Sequence, residues 1–451
     1  MQKRYMDLFQ KLVKAYYDGN FDEAVKEIID TPGLDKEQAM KTISALCGVE
    51  VDLNDNFIYN LKKAITNYQV REQIVQKVGN CSMSCVDDET GKTKCQMICP
   101  FNAILKDPIK NTTYIDVDLC AGCGKCVDAC DNGKLLDKIE FVPIMDLLKS
   151  GKPVVAAVAP AISGQWGPNV SMDQMRAAFV KAGFKDMFEV AFAADMLTIK
   201  EAVEFDHLVK KKDDMMITSC CCPMWVGMLK RVYADLVKYV SPSVSPMIAA
   251  ARVLKKLNPE VKVVFVGPCI AKKAEAKDKD LVGEVDFVLT FQELKGIFDV
   301  LDINPEDLPG VASIEYASRG GRLYARTGGV SIAISEAIEE LYPEKYAFLK
   351  TLHVDGVKEC KDVLTRAAAG EDLGANFIEG MGCVGGCVGG PKALVSKEEG
   401  KEAVDNFAYQ SAVKIATHSG ILDEVFARIG ITSLEDFKHP EKIEIFEREF
   451  K

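Results

Sequence analysis

Fourteen of the sixteen cysteines in this 451-residue chain fall into five tight groups, and the groups limit what the chain can fold into. Two lie in the first third: Cys81-x3-Cys85-x9-Cys95-x3-Cys99-Pro100 and Cys120-x2-Cys123-x2-Cys126-x3-Cys130. Three follow further on: Thr218-Ser219-Cys220-Cys221-Cys222-Pro223-Met224-Trp225, then Gly267-Pro268-Cys269-Ile270-Ala271-Lys272-Lys273-Ala274-Glu275, then Glu379-Gly380-Met381-Gly382-Cys383-Val384-Gly385-Gly386-Cys387-Val388-Gly389-Gly390-Pro391. In a short secreted chain such density would mean disulfides; in a long chain without an export signal it argues for metal ligation. Residues Met1–Phe9 are amphipathic from the start and lack the apolar core of a signal peptide. Apolar runs such as Val154–Ile162 fall short of the ~18 residues a spanning helix needs. A cytoplasmic protein without membrane contact is expected. Cys47 and Cys360 belong to no group and read as ordinary buried thiols.

A net charge of −11 argues against a nucleic-acid surface, which needs basic patches to neutralise phosphate. The length allows about three domains at roughly 150 residues each, and the texture of the chain changes accordingly. Residues 1–75 read as a small helical domain: Tyr5, Leu8, Phe9, Leu12, Val13 and Tyr16 recur at helical spacing, Phe21–Ile29 continues the pattern, and Asp35 caps a further helix. Residues 76–140 are cysteine-rich and polar. Residues 141–395 alternate short β-like runs (Val154–Val158, Met215–Thr218, Val261–Val266, Val285–Leu289) with helices (Met172–Ala182, Met196–Lys210, Pro246–Leu257), which predicts parallel sheet flanked by helices. Cys222, Cys269 and the Ala159-Pro160-Ala161 turn follow strand ends, where open α/β sheets place their sites. Residues 396–451 read as a helical extension packed on the α/β part, with helices through Ala403–Leu422 and Glu424–Ile429.

The spacing Cys120-x2-Cys123-x2-Cys126-x3-Cys130 resembles a bacterial ferredoxin motif, in which three thiolates hold one cubane and the fourth cysteine serves the other cluster. The upstream group resembles a stretched version of the same unit. The resemblance implies a two-cluster ferredoxin-like α+β domain, with Cys81, Cys85, Cys95 and Cys130 holding one [4Fe–4S] cluster and Cys99, Cys120, Cys123 and Cys126 the other. Zinc also favours Cys-x2-Cys pairs, but three cysteines within seven residues plus a displaced fourth fit iron–sulfur better. The x9 insertion and Asp131, where proline usually follows the fourth cysteine, depart from the pattern.

The three later groups together resemble the signature segments of the [FeFe]-hydrogenases, and their first motif that of the group B branch. The resemblance implies an α/β catalytic domain of two sheet lobes flanked by helices. It also implies an H-cluster, a [4Fe–4S] cluster bridged to a two-iron unit with CO, CN and azadithiolate ligands. Cys222, Cys269, Cys383 and Cys387 would hold it, with Cys387 as the bridge. Lys272, Pro160, Ala161, Pro268 and Met381 match residues around the two-iron unit, and Gly328-Gly329-Val330 a further family segment. Cys221 matches the proton-shuttling thiol. Glu201 and Glu204 keep the family's spacing to it, and Ser241 the matching distance after it, so that Glu204–Ser241–Glu201–Cys221 would form a relay of groups that can both give and take a proton.

The expected activity is reversible H2 oxidation and proton reduction by a ferredoxin-dependent enzyme of an anaerobe. Its partners would be H2, protons, ferredoxin or a similar small electron carrier, and the hydrogenase maturation proteins. The alternatives are an H2 sensor of low turnover and a hydrogenase-like iron–sulfur assembly protein lacking the two-iron unit. Four departures mark the chain: the additional Cys220, Gly267 where the family has methionine, a displaced methionine in Ser245-Pro246-Met247-Ile248-Ala249, and a shortened glycine run ending Gly389-Gly390-Pro391-Lys392.

Overall fold

The computed structural model describes residues 2–69, 73–81, 84–211, 214–218, 221–312 and 317–450; Ser219 and Cys220 lie outside the described residues. Eleven strands occur among them: β1 (Val75–Lys77), β2 (Ile104–Asp107), β3 (Thr112–Ile115), β4 (Leu135–Asp137), β5 (Val154–Val158), β6 (Asp186–Glu189), β7 (Met216–Ile217), β8 (Lys262–Gly267), β9 (Phe287–Thr290), β10 (Thr351–Asp355) and β11 (Phe377–Met381). Two sheets are wholly parallel, one in the order β6-β5-β8-β9 and one in the order β10-β11-β7. All five residues of β5 are buried, the apolar run expected of a strand covered on both faces. The helix Val190–Leu208 is buried around most of its circumference, which explains why its residues show little periodicity. It starts six residues earlier than its sequence pattern implied.

The cysteine-rich segment forms the antiparallel hairpin β2–β3, the antiparallel pair β1–β4, and two short helices, Lys94–Ile98 and Lys125–Asp128. The N-terminal residues form helices at Lys3–Asp18, Phe21–Ile29, Lys36–Leu46 and Phe57–Thr66, with Asp35 accepting from the Gln38 N–H as its capping role requires. Their apolar face does not close on itself. Phe9 meets Phe141 edge-to-face at 5.1 Å, and one continuous core joins them to the four-stranded sheet.

Two further boundaries differ from expectation. The run Ala403–Leu422 is not one helix: Lys397–Tyr409 ends, a turn at Ala416–His418 intervenes, and Gly420–Ile429 begins anew. The break is held by tertiary contacts invisible to periodicity, since Val413 and Lys414 carbonyls accept from Arg319 and Gly320 N–H groups and Ser411 Oγ accepts from Arg322. The run Met215–Thr218 pairs as a strand only at Met216–Ile217.

Candidate active site

Each of the three later cysteine groups leaves the C-terminal end of a parallel strand. Cys222 follows β7 and precedes the helix Pro223–Arg231, whose first residue is a proline. Cys269 follows β8, directly before the helix Ala271–Glu275. Cys383 follows β11, and Cys387 lies in the turn Gly386–Gly389. The Gly382 N–H donates to Cys222 Sγ at 3.2 Å, joining the first group to the third. Burial pushes the thiols of Cys269, Cys383 and Cys387 up to about 12. Like-charge neighbours add to this: Cys269 responds to Cys383 and Cys222, and Cys387 to Cys222 and Cys269. Four half-buried cysteines from three separate strand ends therefore share one site.

The third group is glycine-rich because chain presses on chain there. Gly386 has φ +83°, and a Cβ on it would lie 2.6 Å from the Thr327 backbone nitrogen; one on Gly390 would lie 2.8 Å from Pro268. The second group departs from the family at Gly267, where a Cβ would sit 2.7 Å from the Phe265 ring. Phe265 has taken that space.

Around the four thiols, Cys221 is buried, and its thiol is held well above its ordinary value by burial and then by Cys387 and Cys222. Lys272 is buried, with Nζ 2.7 Å from Glu275 Oε2. Glu275 Oε1 is buried without a hydrogen-bond partner. The second lysine of the pair is not a solvated one: Lys273 Nζ lies 2.8 Å from Asp137 and 2.5 Å from Glu293, fully buried. Pro160 and Ala161 open the turn after β5, Ala161 is fully buried, and the Ala159 N–H bonds to the Val266 carbonyl, beside Pro268. Met381 is buried at the end of β11.

The expected relay residues lie on one side of this site. Ser241 Oγ donates to Glu204 Oε2 at 2.6 Å. Glu201, fully buried, accepts a hydrogen bond from Thr218 Oγ1, the residue that opens the first cysteine group. Sequence reasoning missed Thr218, and also Lys200 and Ser243, which bond to one another at 3.0 Å beside Glu204. The spacing of Thr218 within its motif was the one available signal.

The eight earlier cysteines lie near one another, and their neighbours differ from one thiol to the next. The Cys95 thiol is raised by burial and, among sulfurs, by Cys85, Cys130 and Cys81. Cys126 is raised by burial and then by Cys123, Cys120 and Cys99, with Cys95 acting after them. Cys99, Cys120, Cys123 and Cys126 also line a single small cavity. Backbone N–H groups already point at sulfur: Ala103 to Cys99, Gly122 to Cys120 and Lys134 to Cys130. The Cys120–Cys126 loop packs on the second hydrogenase-like segment, with Gly124 against Ile270 and Gly122 against Ala274. Lys125 Nζ reaches Cys383 Sγ at 3.8 Å. Among the described residues no three His, Cys, Asp or Glu side chains are gathered to hold a single metal ion. The thiols of Cys95, Cys120, Cys123 and Cys126, raised by burial, stay protonated unless cationic iron draws the proton off, and N–H groups aimed at sulfur are what iron–sulfur clusters use. The donor sets fit clusters.

Residues 152–391, more than half of the chain, match the family described as iron only hydrogenase large subunit, C-terminal domain. The NADP-reducing hydrogenase subunit HndD of Solidesulfovibrio fructosivorans is 28% identical over 325 residues, 60% of this chain and 55% of the relative. The chain thus spans about half the length of that relative. The periplasmic [Fe] hydrogenase large subunit of Nitratidesulfovibrio vulgaris is 30% identical over 291 residues, 54% of this chain and 69% of the relative. A cytosolic Fe–S cluster assembly factor NAR1 homologue of Schizosaccharomyces japonicus is 29% identical over 104 residues, 20% of each chain. In fold, a solved variant of the [FeFe]-hydrogenase HydA1 from Chlamydomonas reinhardtii matches with a TM-score of 0.56 and 24% identity, covering 67% of this chain and 96% of that one. With three cysteine-bearing strand ends meeting at one site and this match across the α/β part, the chain belongs to the iron-only hydrogenase family.

Proposed function

We propose that the protein is an [FeFe]-hydrogenase of the group B type, interconverting H2 with two protons and two electrons. The observation that carries this reading is the company kept by the four half-buried thiols: Cys221, Lys272 and Met381 are buried around them, residues that a protein without the two-iron unit has no need to retain. Cys222, Cys269, Cys383 and Cys387 would hold the H-cluster, which when bound supplies the cleavage and formation of the H–H bond. Lys272 has three N–H donors, one committed to Glu275, leaving others for a cyanide ligand. Pro160, Ala161, Pro268 and Met381 would wall the unit and exclude water.

Protons would move between Cys221 and the outside through Glu201, Ser241 and Glu204. The two outer members are in direct hydrogen-bond contact, and Thr218 fixes the orientation of the Glu201 carboxyl. Electrons would pass through the two [4Fe–4S] clusters of a ferredoxin-like domain at residues 76–140. The cluster of Cys99, Cys120, Cys123 and Cys126 would be the inner one, because its loop packs on Ile270 and Ala274. The physiological carrier would be a ferredoxin or similar small protein, the two-iron unit would come from maturation proteins, and the setting would be the cytoplasm of an anaerobe. No helix among the described residues is long and apolar enough to cross a membrane.

The second reading is a cluster-assembly protein, which the match to the NAR1 homologue brings into consideration. Anaerobic infrared spectroscopy separates the two. After exposure to the maturation system, bands of metal-bound carbon monoxide and cyanide are expected; their absence from iron-loaded protein would favour the assembly reading.

A further inference from the structure

Resting on the proton relay just described, we propose that Glu447, carried in by the C-terminal tail, is the solvent-side station of that relay, and that Lys200 is the positioning residue tying it to Glu204. Lys200 projects from the same helix as Glu201 and Glu204, and its side chain is only 2% exposed. Its Nζ lies 3.1 Å from Glu204 Oε2, 3.0 Å from Ser243 Oγ and 3.3 Å from Glu447 Oε1. Ser241 Oγ, which donates to Glu204, is itself 2.8 Å from Ser243 Oγ. Lys200, Glu204, Ser241 and Ser243 thus close a ring of polar contacts, and Glu447 joins the ring from outside.

Exposure rises along this series. The Glu204 side chain is 13% exposed and that of Glu447 is 28% exposed, so Glu447 presents the more open carboxylate to water. The tail that carries it is held in place. Ser243 bridges to Glu447 in antiparallel fashion, Val244 N–H donates to the Phe446 carbonyl, and Arg448 N–H donates to the Pro242 carbonyl, both at 2.8 Å. Arg252 donates to the Glu447 carbonyl at 2.7 Å, and the Arg448 guanidinium is anchored on Asp278 and Asp280. This tail lies outside residues 152–391, which the family model matches.

One ammonium beside two carboxylates allows them to stand close without mutual repulsion. Burial works against the Lys200 charge, but Glu204, Glu447 and Glu201 together raise its proton affinity above the ordinary value, so it stays a cation. In the hand-off, the O–H bond on Glu204 breaks and an O–H bond forms on the Glu447 carboxylate, through one intervening water. Glu447 then releases the proton to bulk water. The net charge around Lys200 is the same before and after the hand-off.

The test uses the full chain, matured with its clusters and checked by its infrared bands, with H2 evolution driven by a soluble chemical reductant. Glu447→Gln is expected to lower the rate about tenfold, less than the ~10²–10⁴ of a lost general acid–base group, because water also reaches Glu204. Small buffer acids such as imidazole should restore the rate, as they would not for a merely structural defect, and Glu447→Asp should retain most of it. In H2O-minus-D2O infrared difference spectra taken on reduction, Glu447→Gln should lose one carboxylic-acid C=O component. Lys200→Met should show the same loss and the same rescue. If Glu204→Gln is impaired while Glu447→Gln evolves H2 normally and keeps every carboxyl band, the assignment of Glu447 is wrong and the relay stands. If Glu204→Gln is also unimpaired, the relay itself fails and Glu447 with it.

Discussion

Cys221 would be the member of the proposed relay that is hardest to ionise and nearest the H-cluster cysteines. Burial and the neighbouring Cys387 and Cys222 hold its thiol protonated, with Lys272 as the opposing positive influence. A thiol can both donate and accept; a methyl cannot. Cys221→Ala is therefore expected to assemble the infrared-visible cluster yet lose at least ~10²-fold in H2 turnover, the lower end of what general acid–base help supplies. A matured variant with near-normal turnover would remove Cys221 from the path. At this scale motif spacing was enough to single out residues that the structure places around one site: the cysteines of the three later groups, Lys272, Met381, and the pair Glu201 and Glu204. The sequence was not legible for Thr218 toward Glu201, or for Lys200, Ser243 and Glu447. Those contacts join residues up to hundreds of positions apart, and a serine or lysine has no pattern announcing its partner. Gly267 is intermediate. Its departure from the family was visible, while its cause, the Phe265 ring in the space a side chain would need, came only with the fold.

At the scale of elements, the ends of strands decide the site. The strands β5 and β8 declare themselves by continuous apolar runs, so the positions of Pro160 and Cys269 could be read in advance. The strands β6, β10 and β11 could not: β11 runs from Phe377 to Met381 through a glutamate and a glycine, and the Glu379 carboxylate is buried only because Gly328 N–H, Ser331 N–H and Ser331 Oγ all donate to it. The cysteine-rich element crosses over itself. Cys130 is 35 positions beyond Cys95 in the sequence, yet its charge acts on the Cys95 thiol together with those of Cys85 and Cys81. Cys130→Ala should accordingly cost the cluster shared with Cys81, Cys85 and Cys95. Iron counts and EPR should show one accessory signal lost, different from the one abolished by Cys120→Ala. Loss of the same signal in both variants would mean the ligand sets do not cross.

Over the whole molecule, a buried network of charge joins the cysteine-rich segment to the α/β part. Asp137, at the end of β4, lies 2.8 Å from both Lys273 and Lys392, and Lys273 also meets Glu293. Lys273 stands four residues after Cys269 and Lys392 five after Cys387, so one aspartate braces the second and third cysteine groups against the segment that precedes the α/β part. Glu293 at the same time caps the helix Phe291–Val300, whose Gly296 packs on Phe9 of the N-terminal helix. Breaking such a network from one side leaves a buried carboxylate without its cation, a loss of about 3–5 kcal/mol. Lys273→Met should lower the unfolding free energy of the unmatured protein by that much, read from the shift of its denaturant midpoint at unchanged slope. A change near zero would mean that water replaces the ammonium. The pH dependence follows from Asp137. Burial pushes its carboxyl up, but the two ammoniums outweigh burial and hold it below the usual carboxylate range. A carboxyl with a depressed folded pKa contributes stability that is present above its unfolded value, about 4, and is lost as pH falls through the folded one. Glu293, raised by burial and by the charge of Asp137, works in the opposite sense, with one lysine where Asp137 has two. Removing the second ammonium should therefore move the acid limb. Lys392→Met is expected to unfold at a higher pH than the parent chain when both are titrated downward from neutrality, followed by near-ultraviolet circular dichroism. Coincident acid limbs would show that Asp137 is held ionised by Lys273 alone, and that the brace on the third cysteine group is steric.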